Sequence, residues 1–173
     1  GIIGDDRMDG EYVAAFPGQD LTDPVIYKQF PYKVKGKTAF LHVNSLGYHE
    51  VYVNGERVGD GVLAPAVSQL DKSSRIMSYD VTDLLRRGTN TIVLWTGSGW
   101  YKPGTFRAVY GGALVKVELF SGGPCLVTDG SWEGAFSGYC DTGSWLPHGF
   151  GGEKIDASFV PFSMKDIDGL AWG

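Results

Sequence analysis

Trp100 and Tyr101 follow Gly97-Ser98-Gly99. Three small residues let a ligand come close to the backbone while the rings offer a flat apolar face, so this stretch has the chemistry of a stacking platform. Trp145, in a second glycine-rich stretch, supplies a further ring. Asn54, Asp60 and Glu153 carry groups that bond hydroxyls. This set suits recognition of a hydroxylated ring and not the breaking of a bond. Three of them also have a structural alternative: Trp100 as a plug at the end of a β-fold, Asn54 as half of a turn pair, and Glu153 as an anchor for the terminal segment.

Other chemistries find less support. Glycoside hydrolysis needs two carboxylates about 5–10 Å apart across a cleft. Among 20 acidic residues no pair is singled out. His42, His49 and His148 can be drawn as a metal site, with His42 and His49 on two arms of a hairpin, but isolated strand histidines are usually surface or satisfied core groups. "GSGW" is not the Gly-x-Ser-x-Gly of a nucleophile elbow. Asp5, Asp6, Asp9 and Glu11 supply hard oxygen ligands of the kind calcium takes, yet the distal Glu and flanking helices of a calcium loop are missing, so a solvated acidic lead-in is the default. Cys125 and Cys140 form either one disulfide, in an oxidising compartment, or two small buried thiols; without nearby histidines they make no zinc site. No cofactor is expected, with calcium at the acidic lead-in as the weaker alternative.

The elements that must position these residues are strands. The chain has 173 residues, enough for one domain with a sizeable core, and hydrophobic residues at 43% with charged residues at 20% match globular usage. Its 26 glycines and 8 prolines are scattered, which suits short strands and tight turns. A net charge of −5 and a pI near 5.1 argue against a nucleic-acid surface, and the Arg86-Arg87 pair reads as a solvated segment end. No apolar run is long enough to span a bilayer.

Residues 1–24 read as an acidic lead-in packed on the domain, 25–160 as the domain itself and 161–173 as the start of a linker. "VIYKQFPYKV" predicts a strand that Pro31 confines to an edge or bulge. "TAFLHVNS" places Ala39, Leu41 and Val43 on one face. "YHEVYVNGERVGDG" alternates on both sides of Asn54-Gly55, which predicts a hairpin with a type I′ turn. "SRIMSYDV" is a strand, and "DVTDLL" a single helical turn capped by Asp80 or Thr82 and ended by Gly88. "TNTIVLWTGSGWY" is a buried strand opening into the Trp100 loop, "GALVKVELF" is another strand, and "LVTDGSWEGAF" continues the pattern. Residues 137–152 lack alternation and read as a long surface loop and candidate binding edge. The expected fold is an all-β antiparallel sandwich of jelly-roll or galactose-binding-like type with one short helical turn.

Four ordered motifs, "YHEVYVNGERVGDGVLAP", "YDVTDLL", "GSGWY" and "GGEKIDAS", carry a resemblance over roughly residues 25–160. The chain resembles the N-terminal β-sandwich domain of bacterial α-L-rhamnosidases, and "FVPFSMKDIDGLAW" is similar to the segment that leads into that family's next domain. The resemblance implies a non-catalytic, sugar-binding-like accessory module beside a catalytic α-helical barrel, with rhamnose-containing glycans and that barrel as partners and a periplasmic or extracellular location. It leaves a purely structural, docking role open. One departure bears on this. Where the family commonly reads Pro-Gly-Trp-Thr after "LA", this chain reads Pro65-Ala66-Val67-Ser68, and losing a Trp removes a large stacking face.

Overall fold

The computed structural model describes residues 8–15, 23–33, 36–70, 72–101, 112–142 and 152–158. Asp5, Asp6, Trp145, His148 and the 161–173 segment lie outside the described residues. The strands are β1 (Val25–Tyr32), β2 (Phe40–Leu46), β3 (Tyr48–Val53), β4 (Glu56–Val58), β5 (Ile76–Asp80), β6 (Gly88–Gly97), β7 (Leu114–Phe120), β8 (Pro124–Val127), β9 (Glu133–Ala135), β10 (Tyr139–Asp141) and β11 (Glu153–Ile155). They form a five-stranded sheet ordered β4-β3-β6-β1-β9, a four-stranded sheet ordered β5-β2-β7-β8, and a β10-β11 ribbon. Every pairing between these strands is antiparallel. The protein is an all-β sandwich.

Alternation explains how the two sheets share one core. Ala39, Leu41 and Val43 on β2 and its approach, with Val117 and Leu119 on β7, face Phe30 and Tyr32 of β1, Val51 and Val53 of β3, and Ile92 and Leu94 of β6. All of these are buried. Burying a side chain of this kind stabilises the fold by about 1.5–3 kcal/mol relative to leaving it in water. β6 departs from clean alternation along its middle, since Val93 is as buried as its neighbours Ile92 and Leu94. Val93 belongs to a second, smaller cluster with Val25, packed against Tyr27, Tyr52 and Trp95. The five-stranded sheet therefore carries apolar surface on both faces.

Local chemistry sets the connections. Asn54 and Gly55 have φ of 51° and 82°, the positive pair that a type I′ hairpin requires, and they join β3 to β4. Pro31 lies opposite Thr89 of β6, whereas β9 pairs β1 only from Val25 to Tyr27, so the half of β1 that holds the proline is an edge. The helical turn is corrected to a hydrogen-bonded turn without a helix. Asp80 Oδ1 accepts from the Thr82 amide (3.0 Å) and hydroxyl (2.6 Å), and the amides of Leu84 and Leu85 both reach the Val81 carbonyl (3.1 and 3.2 Å). The Asn90 side chain then engages both the amide and the carbonyl of Arg86, which turns the chain into β6 before a helix can continue.

Two further expectations are corrected. His42 and His49 are not on two arms of a hairpin, because β2 and β3 belong to different sheets. The chain crosses between the sheets at Gly47, whose φ is 115°. The 137–152 stretch is not all loop: Tyr139–Asp141 pairs with Glu153–Ile155, a ladder too short to show alternation in sequence. At the start of the chain Val13 bridges Val115, and Glu11 exchanges bonds with Thr128 through its amide (2.8 Å) and carbonyl (2.6 Å). Both cysteines are free thiols, Cys125 on β8 of the four-stranded sheet and Cys140 on β10 of the ribbon.

Candidate functional site

The outward face of the five-stranded sheet is built in rows. Residues directly opposite one another on paired strands share a face. Arg57, Tyr52, Val93, Tyr27 and Glu133 make one row across β4, β3, β6, β1 and β9. Glu50, Trp95, Val25 and Ala135 make the next, and Tyr48 with Gly97 the one after. Aromatic rings and two carboxylates thus share a surface that strand pleating keeps turned away from the core.

The β10-β11 ribbon stands over this face. The Asp23 amide donates to the Tyr139 carbonyl (3.2 Å), the Ser137 hydroxyl donates to the Asp23 carbonyl, and the Asp156 amide bonds the Gly138 carbonyl (2.8 Å). The Tyr139 ring meets Trp95 edge to face at a centroid distance of 5.0 Å. Between sheet and ribbon opens a pocket of about 350 Å³, lined by Asp23, Tyr48, Glu50, Leu63, Trp95, Tyr139 and Glu153.

Glu50 is held in place on the pocket floor. One carboxylate oxygen accepts from Arg57 Nη2 (2.8 Å) and the other from the Tyr52 hydroxyl (2.7 Å). Burial, and then the bond to Glu50, push the Tyr52 hydroxyl up to about 12, so it stays protonated and continues to donate. The carboxylate is fixed in orientation while its remaining lone pairs stay available to a ligand.

His49 lines the same pocket from the core side of β3 and is only 4% exposed. Its Nδ1 lies 2.7 Å from the Ser45 hydroxyl and its Nε2 2.9 Å from the Tyr79 hydroxyl. Both ring nitrogens are engaged, so His49 has none left for a metal, and His42 is bonded to Ser78. Among the described residues no three His, Cys, Asp or Glu side chains group to hold a metal ion. Burial lowers the His49 pKa from 6.5 to about 4. Between those values the unfolded chain takes up a proton that the folded chain refuses. The stability that neutral His49 contributes is therefore complete above pH 6.5 and is lost as pH falls through about 4. Urea unfolding at a series of pH values should show a loss of about 3 kcal/mol across this window, and a His49→Gln variant should flatten that slope.

The residues that the sequence suggests do not all come together. Glu153 lines the pocket. Trp100 is 43% exposed, so it is no plug, and it borders a separate groove with Tyr48, Pro65, Val67 and Leu70. That groove holds about 10 Å³, scarcely one water. Val67, where the family commonly has Trp, lies in this groove beside Trp100. Tyr101 is buried at 5% exposure. Asn54 sits at the far end of β3 from Tyr48, about 20 Å away at the usual rise per residue. Its side chain donates to the Leu84 carbonyl and to Asn90 (2.8 Å each) and accepts from the Thr91 amide (3.0 Å). Asp60 is exposed beyond the end of β4. Tyr48, Glu50 and Trp95 of the pocket were legible only as members of strands, and Asp23 and Tyr139 only as parts of irregular stretches.

The arrangement defines an antiparallel β-sandwich domain with an aromatic-floored surface pocket. Residues 34–172 match the family model described as the alpha-L-rhamnosidase N-terminal domain, and the chain belongs to that family. An α-L-rhamnosidase of Formosa agariphila is 33% identical over 150 residues, covering 78% of this chain and 15% of that protein. The solved α-L-rhamnosidase of Dictyoglumus thermophilum superposes with a TM-score of 0.69 at 26% identity, covering 87% of this chain and 17% of that one. The rhamnosidase of Bacillus sp. GL1 gives a TM-score of 0.66 at 26% identity over 93% of this chain and 17% of that one. The chain spans about a sixth of the length of the relatives it matches.

Proposed function

We propose that this chain is the non-catalytic, carbohydrate-binding accessory domain of a longer α-L-rhamnosidase-type glycoside hydrolase, and that the pocket over Glu50 and Trp95 is its ligand site. The observation that carries this reading is the joining in one cleft of aromatic rings with carboxylates, of which Glu50 is held in orientation by Arg57 and Tyr52. Sugars present apolar CH faces that stack on rings such as Trp95, Tyr48 and Tyr139, and hydroxyls that donate to carboxylates such as Glu50 and Glu153. A pocket of about 350 Å³ lies within the range of small-molecule sites, about 300–1,000 Å³. Recognition is led by stacking, and no bond is broken here; hydrolysis of rhamnose-containing glycans belongs to the remainder of the polypeptide, in the periplasm or outside the cell.

Calorimetric titration with L-rhamnose tests this. Saturable heat is expected from the chain as given, weakened at least about tenfold by Trp95→Leu, which keeps apolar bulk but removes the large flat ring. Trp100→Ala is expected to leave binding nearly unchanged. Loss of heat in Trp100→Ala alone would move the site to the "GSGWY" loop, and no heat up to millimolar sugar would overturn the binding reading.

A second reading is favoured by a different observation. Val62, Leu63, Val67 and Trp100 are exposed apolar side chains in the segment after β4 and the loop after β6. Exposed apolar groups of this kind mark contact surfaces, and a structural domain that docks the catalytic unit without binding sugar would use them. Its signature is a rise in stability when the neighbouring domain is added.

A further inference from the structure

We propose that Glu50 sets the specificity of the pocket by accepting from two adjacent equatorial hydroxyls of a sugar, with Tyr52 and Arg57 as the residues that position it, an inference that rests on the sugar-binding reading and names its ligand class. Glu50 and Trp95 stand directly opposite each other on β3 and β6, and both line the pocket. Side chains paired in this way start from Cβ atoms about 5 Å apart. Equatorial hydroxyls radiate in the plane of a pyranose ring, so a ring stacked on Trp95 sends them sideways over the neighbouring strands. On the β3 side they meet the Glu50 carboxylate. On the β1 side the residue opposite Trp95 is Val25, an apolar side chain, so the hydroxylated edge of the sugar is directed to β3.

The carboxylate is prepared for a pair of donors. Oε1 accepts from Arg57 Nη2 (2.8 Å) and Oε2 from the Tyr52 hydroxyl (2.7 Å), so each oxygen is fixed in direction and each retains a lone pair for a ligand. The Arg57 Nη2 group also donates to the Gly61 carbonyl (2.9 Å), which ties the guanidinium to the backbone. The Glu50 side chain keeps 39% of its surface exposed, so a ligand reaches the carboxylate without displacing either partner. A hydroxyl that donates to an ionised carboxylate makes a hydrogen bond of the stronger class. One hydroxyl engages one oxygen, whereas two neighbouring hydroxyls engage both. In L-rhamnose the adjacent equatorial hydroxyls are those at C3 and C4, and the axial C2 hydroxyl falls outside the pair.

Calorimetric titration of the chain with methyl α-L-rhamnoside, and with the same sugar deoxygenated in turn at C2, C3 and C4, reads each hydroxyl without any change to the protein. Removal of the C3 or the C4 hydroxyl should each weaken binding at least about tenfold, and removal of the C2 hydroxyl less than about threefold. Glu50→Gln keeps the shape but loses the charge and one acceptor oxygen, so the C3 and C4 gaps should shrink to about threefold or less. Tyr52→Phe keeps the ring and removes the orienting donor; it should shrink the C3 and C4 gaps and leave the C2 gap unchanged, whereas a merely structural role would weaken all four sugars by one factor. Both substitutions conserve volume at half-buried positions, and unchanged thermal unfolding verifies the fold. Equal binding of all four sugars by the unaltered chain would overturn the diol reading and leave the sugar site standing. C3 and C4 gaps that persist undiminished in either variant would overturn it as well. Heat from none of the four sugars would overturn both readings together.

Discussion

Replacing Gly47 by alanine should destabilise the domain by at least about 3 kcal/mol, read as a lowered urea midpoint with an unchanged slope. Two costs add at this position. The backbone has φ of 115°, which side-chain-bearing residues rarely adopt. A Cβ would also lie 2.3 Å from the Gly97 carbonyl oxygen and 3.1 Å from that of Ser98, atoms fixed by β6 pairing and the turn beyond it. A flexible side chain could swing aside, but a backbone carbonyl cannot move without loosening the Tyr48–Gly97 end of the ladder. Since Tyr48 and Gly97 both line the pocket proposed to bind sugar, any affinity measured there should fall together with stability. A loss below about 1 kcal/mol would mean that the crossing between sheets is not tightly fixed.

Asn90→Ala is expected to cost a similar amount, about 3 kcal/mol, while leaving the pocket's ligand affinity intact. Asn90 is fully buried, and its amide makes four bonds. Its oxygen accepts from the Arg86 amide (2.9 Å) and from Asn54 (2.8 Å), and its nitrogen donates to the carbonyls of Arg86 (2.7 Å) and Gly88 (3.0 Å). Truncation leaves several of these groups without a partner in a poorly hydrated site, where each costs about 1–3 kcal/mol. Asn90→Asp keeps the shape but cannot donate, and sets a carboxylate against two carbonyls. It should be no more stable than the alanine variant, and equality of Asn90→Asp with the parent chain in urea unfolding would refute the network.

These two positions also show what sequence could and could not reveal. Asn54-Gly55 between alternating runs identified its hairpin because the turn chemistry is local. Pro31 signalled an edge because a missing N–H is local too. Leu41 and Val43 were placed on one face by period alone, and both are buried. Gly47 was not recognised as a corner, because the choice between a hairpin and a crossing depends on which sheet accepts each strand, and that is decided by partners tens of residues away. The candidate site was harder. Tyr48, Glu50 and Tyr52 alternate with His49, Val51 and Val53, so an outward face was written into β3. Trp95 sits in a run that is apolar on both faces, and period cannot assign it a side. Tyr139 enters on a three-residue strand that only its distant partner defines.

The stitching of the early chain to the late chain has a consequence for the order of events. Val13 waits for Val115, Lys28 for Ser131 at a separation of 103 residues, and Asp23 for Ser137 at 114. Closing loops of that length is slow, because chain entropy must be surrendered before any contact repays it. As the polypeptide emerges, β1 has no partner until β6 is made, and its other neighbour, β9, arrives later still. The sheet face that carries the pocket is thus among the last surfaces to be completed, and until then its aromatic rings are open to solvent and to other nascent chains.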